Sequence, residues 1–63
     1  MNRNDGLLTP DEVAEYLKVN KYTIYRMVAE KRLPAIRIGN QFRFKRSVLE
    51  LWLRKNATLP WSE

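Results

Sequence analysis

The sequence predicts an α+β, mainly helical fold: helix, helix, two-stranded β-hairpin, helix, all in one domain. Three observations carry this. Two short amphipathic segments follow one another, each opened by a capping residue, Thr9 and Asn20. Strand alternation flanks Gly39-Asn40. A last apolar stripe at helical spacing, Val48, Leu49, Trp52 and Leu53, closes the chain. At 63 residues there is room for one small core.

Residues 1–6 read as a disordered leader, 7–55 as the folded domain and 56–63 as a tail, where Leu59 and Trp61 offer apolar surface that can fold back on the core. Thr9 can cap the first helix, with Pro10 at its first position and Glu12 three residues on, as in a capping box. Leu8 and Val13 have the spacing of a hydrophobic staple, and Val13, Tyr16 and Leu17 form one apolar face. Val19-Asn20 then interrupts. Asn20 caps a second helix over about Lys21–Lys31, Val19 and Ile24 repeat the staple, and Ile24, Met27 and Val28 share the inner face. Pro34 ends the segment.

Ile36, Ile38, Phe42 and Phe44 alternate on either side of Gly39-Asn40. A three-residue loop, Gly39–Gln41, pairs Ile38 with Phe42 and Ile36 with Phe44, putting every apolar side chain on one face, and is the preferred register. It also sets Arg37 opposite Arg43, a like-charge pairing that costs stability unless an anion offsets it. The third helix spans about Arg46–Lys55, with Trp52 in the core.

Two short helices joined by a tight turn make a helix-turn-helix, and the hairpin makes it a winged one. Ala14 is small where the helices approach, and Leu17, Val19, Ile24 and Met27 hold the unit together. Charge is placed unevenly. The chain carries +5 overall, yet residues 18–46 hold nine basic residues against Glu30 alone, while residues 1–17 hold Arg3 against four acids. Such a block suits a polyanion. No His or Cys is present, so zinc frameworks, thiolate chemistry and a His-based catalytic pair are excluded. Glu12 and Glu15 are explained by capping and solvation, and no Gly-rich phosphate loop appears. The chain reads as non-enzymatic, with no cofactor, metal or small-molecule ligand expected. No apolar run approaches the roughly 20 residues that span a bilayer, and no signal segment opens the chain, so the cytoplasm is expected.

The second helix of such a unit presents its first turns to the major groove of duplex DNA. Lys21, Tyr22, Thr23 and Arg26 lie outward there. Arg26 can grip guanine or phosphate, and Tyr22 and Thr23 can donate to phosphate or touch base edges. Taken alone, Arg26 suits a solvated side chain and Tyr22 a lid on the core edge; within the basic block, contact is preferred. Tyr25 suits packing and phosphate contact equally. Arg37 and Arg43 place a second contact on the wing.

The segments Leu7–Leu17, Val19–Arg26, Arg32–Gly39, Phe42–Phe44 and Leu49–Leu53 together resemble, in order, the excisionase-type DNA-binding domains, relatives of the MerR-like winged helix-turn-helix proteins. The resemblance implies duplex DNA binding, as a small transcription regulator or an architectural factor in recombination and excision. Some such proteins polymerise along DNA, so cooperative self-association or a dimer is an expected partner arrangement. Lys18 and Lys31 stand where these sequences often place Gly, and a left-handed backbone there is strained for Lys. The alternative is a winged-helix protein-interaction module without DNA binding. Its mark would be an apolar outer face on the second helix, at which Tyr22 hints and against which Arg26, Arg37 and Arg43 speak.

Overall fold

Six elements make up the computed structural model, which describes residues 6–57: β1 (Leu7–Leu8), α1 (Pro10–Leu17), α2 (Lys21–Ala29), β2 (Ile36–Ile38), β3 (Gln41–Lys45) and α3 (Arg46–Lys55). The fold is the small α+β winged helix-turn-helix expected, with one strand more. The expected leader up to Asp5 and the tail from Thr58, with Leu59 and Trp61, lie outside the described residues. No helix among the described residues is long and apolar enough to cross a membrane.

Local chemistry fixes both helix starts. The Thr9 hydroxyl accepts from the Glu12 N–H at 3.1 Å, and the Glu12 carboxylate accepts from the Thr9 N–H at 2.8 Å, completing the capping box with Pro10 at the first position. The Asn20 side chain accepts from the Tyr22 N–H at 2.7 Å. Both helix ends are closed alike. Val19 N–H donates to Ala14 O (3.0 Å) and Lys18 N–H to Glu15 O (3.2 Å), with Lys18 left-handed at φ 60°. Arg32 N–H donates to Met27 O (2.8 Å) and Lys31 N–H to Val28 O (3.0 Å), with Lys31 at φ 62°. These are Schellman motifs, in which the left-handed residue is usually Gly. The second motif ends α2 at Ala29, two residues short of the expected Lys31 and ahead of Pro34.

The sheet is antiparallel in the order β1-β3-β2. Leu7 pairs with Lys45 and Leu8 with Phe44, so a third strand, too short to show alternation, lies beside the hairpin. The hairpin register corrects the expected one. Ile38 pairs with Gln41, Arg37 with Phe42 and Ile36 with Arg43, around a two-residue Gly39-Asn40 turn. Arg37 therefore lies on the Phe42 face, and Arg43 on the opposite one. Turn chemistry prevails over the one-face pattern: Gly39 sits at φ 60° while Asn40 does not, which suits the first central position of a type II′ turn. Phe42 and Phe44 consequently face inward, while Ile36 and Ile38 stay 41% and 51% exposed on the outer face.

Val13, Ala14, Ile24, Leu33, Phe44 and Leu49 form the core, with Leu8, Leu17, Met27, Val28, Phe42 and Trp52 packed against it. Ala14 lies buried in the α1–α2 unit, as its size suggests. Three residues expected at apolar contacts are instead exposed: Tyr16, Val19 and Val48. Tyr16 and Val48 lie at the edges of their helical stripes and Val19 lies in the turn between α1 and α2, and in so short a chain the core closes before reaching them. Trp52 is anchored by its indole N–H, which donates to Arg32 O at 2.7 Å and ties α3 to the loop after α2.

Candidate nucleic-acid interface

Asn20 sets the direction in which α2 begins, and the buried Ile24 fixes its rotation. The opposite side of α2 is thereby turned to solvent. Tyr22 is 75% exposed, so it is no lid on the core. Arg26, one turn on from Tyr22, is exposed, and Thr23 is half-buried between them and the core. Tyr25 is exposed at 40%. It lines a cleft of about 370 Å³ between the helix pair and the wing tip, with Thr9, Pro10, Asp11, Asn40, Gln41, Phe42 and Arg43.

Lys21 opens α2 and reaches across to α1, where its Nζ lies 3.2 Å from the Asp11 carboxylate. That hydrogen bond, with the Coulombic attraction of Asp11, holds the Lys21 ammonium above its ordinary 10.5. By sequence, Asp11 sits in the first turn of α1, where a carboxylate suits the positive helix start. Its link to Lys21 is a tertiary one, created by the angle between the helices, and no spacing rule announces it.

The wing arginines diverge. Arg37 lies over the Phe42 ring, its guanidinium carbon 5.7 Å from the ring centre, and its Nε donates to Gly39 O at 3.2 Å. Arg43 is half-buried and folds back along its own strand, donating to Phe42 O at 2.7 Å and to the Gln41 side chain at 2.6 Å. The like-charge opposition that sequence alone offered as a reason for an anionic partner is therefore absent. What the fold brings together is the α2 face and Arg43, through the cleft that Tyr25 shares with the wing. Asn40 and Gln41 join them there. Nothing in their residue types singles them out beforehand, because only the true turn places them. Among the described residues no group of His, Cys, Asp or Glu could hold a metal ion.

Residues 7–57 match a family model described as a helix-turn-helix domain. Two proteins of Mycobacterium tuberculosis, from different strains and each named "Putative DNA-binding protein", are 51% identical to the chain over 37 residues. The match covers 59% of this chain and 47% of theirs, so the chain spans about half the length of these curated relatives. No solved structure matches the chain.

Proposed function

The chain belongs to the helix-turn-helix domain family, and from that premise we propose that it binds duplex DNA, with α2 in the major groove and the β2–β3 wing on the flanking backbone. One observation carries the reading. The face of α2 turned away from the core presents Tyr22 and Arg26, with Thr23 half-buried at its side, and Arg43 of the wing shares a cleft with Tyr25 of the same helix. The name given to the two mycobacterial relatives supports the same partner. Arg26 reads a base edge or grips phosphate, Tyr22 and Thr23 contact backbone or base edges, and Tyr25, Arg37 and Arg43 anchor phosphates beside the groove. The role is that of a small transcription regulator or an architectural factor in recombination and excision.

A single module of this kind buries only about 600–1,000 Å² of protein surface on DNA. Useful affinity therefore calls for cooperative, repeated or dimeric binding. The test is titration of duplex DNA across a range of salt. With about six phosphates neutralised, log K falls with a slope near −5 against log salt. A slope near zero overturns the reading, as does an Arg26→Ala variant whose affinity and site preference both match the parent's.

A further inference from the structure

Asp11 is a carboxylate beside two cations of the proposed interface: it pairs with Lys21 and shares a cleft with Arg43. Its neighbour Glu12 is committed to the Thr9 cap, and Glu30 pairs with Arg32 at the far end of α2. Asp11 instead lines the cleft shared with Tyr25 and Arg43, and its carboxylate holds Lys21 at 3.2 Å. Lys21 is the first residue of α2, the end of the helix that meets the groove. A lysine is a compact point charge on a flexible stem and settles on the nearest anion. Both partners are exposed and solvent screens the pair, so it is weak: it competes with loose phosphate contacts and yields to a well-formed one. Loose, non-specific association with DNA is driven by cations that can trade counterions for phosphates. A lysine already neutralised by its own chain has little to trade.

We propose that Asp11 is a positioning residue of the interface, keeping Lys21 out of indiscriminate phosphate contact so that random duplex is held by the arginines without it. The proposal rests on the DNA-binding reading above. It is tested by measuring binding of the full chain to random-sequence duplex against salt. Asp11→Asn keeps the Thr9–Glu12 cap and frees Lys21. The expected result is a slope steeper by about 0.9, equivalent to about eightfold tighter binding to random duplex near 0.1 M salt. Asp11→Glu is expected to return both quantities to the parent values. In a Lys21→Gln background, Asp11→Asn is expected to lose its effect. An unchanged slope overturns the proposal. So does an equal gain without Lys21, since Asp11 would then act merely as a repelling charge. One readout needs no variant: the Lys21 ammonium resonance of the parent chain keeps its Asp11-bound position when random duplex is added, and movement to a phosphate-bound position overturns the proposal. A parent chain with no salt-dependent binding defeats the DNA reading itself. A steep parent slope with an indifferent Asp11→Asn defeats only the role of Asp11.

Discussion

Replacing Lys18 with glycine should stabilise the domain, and the size of the effect follows from the backbone. Lys18 sits at φ 60°, ψ 43° and closes α1 through the Lys18–Glu15 and Val19–Ala14 hydrogen bonds. A left-handed L-residue costs about 1–2 kcal/mol there because its Cβ crowds the following carbonyl oxygen. Glycine escapes that cost but gives back about 0.5–1 kcal/mol through the greater freedom of its unfolded chain. The net gain is about 0.5–1 kcal/mol. In a domain this small, 1 kcal/mol moves Tm by about 4–8 °C, so thermal unfolding followed by circular dichroism should resolve a rise of a few degrees. Lys18→Ala is the control. It removes the same charge from the end of α1 and keeps the Cβ, so the glycine variant should exceed it by the backbone difference. If alanine raises Tm as much as glycine does, the gain comes from charge and the backbone argument is refuted. Lys31, at φ 62° in the matching motif after α2, should respond in the same way.

Gly39→Ala is the converse experiment: no atom lies within 4 Å of the new Cβ, so the expected loss of about 1 kcal/mol in a melt reports backbone strain alone. Thr9→Ala removes the acceptor of the capping box and should cost about 1 kcal/mol in chemical denaturation. Trp52→Phe leaves Arg32 O without its 2.7 Å indole donor and should cost about 1–2 kcal/mol, with hydrogen exchange rising first in the loop after α2. For Lys21, the Asp11 contact raises the folded-state pKa, so its small contribution is complete below about 10.5 and is lost as pH rises through the raised value. An NMR titration of Lys21 should therefore show a midpoint above 10.5 that moves down in Asp11→Asn, while near neutral pH the parent's stability does not vary with this group's titration.

Much of this architecture is legible in the residues because its signals are local. The Thr9–Glu12 box, Pro10, Asn20 and the 3.6-residue stripes each act within one turn of helix, so α1, α2 and α3 can be placed without tertiary information. The left-handed strain at Lys18 and Lys31 is legible only through the family resemblance, in which glycine often stands at those positions. The wing is harder. Placing Ile36, Ile38, Phe42 and Phe44 on one face assumes that one face alone is buried, yet the outer face keeps Ile36 and Ile38 exposed and Gly39 decides the turn. Leu7–Leu8 has no alternation to show and becomes a strand only because β3 offers an edge. For the candidate site, the exposure of Tyr22 and Arg26 follows from helix periodicity. The bonds of Lys21, Arg37 and Arg43 depend on neighbours that only the folded chain supplies.

Those bonds divide the proposed interface into two kinds of surface. Tyr22 and Arg26 stand on a helix whose start is capped and whose rotation is set by Ile24, so their backbone is ordered before any partner arrives. Arg37 and Arg43 already spend hydrogen bonds on Gly39 O, Phe42 O and Gln41. Neither must give these up to take a phosphate: a guanidinium has five donors and can keep its bond to the carbonyl while offering others in a fork. The carbonyl contacts then act as guides: they hold the guanidinium near the wing and reduce the rotamer freedom lost on binding. Removing an acceptor tests the idea. Gln41→Ala deletes the 2.6 Å partner of Arg43 while leaving every cation in place. If preorganisation matters, affinity for duplex falls by about two- to fivefold while the salt slope stays the same, since a loss of about 0.5–1 kcal/mol is one side chain's worth of ordering. If affinity instead rises, the Arg43–Gln41 bond competes with DNA, and the wing would be held back in the way proposed for Lys21.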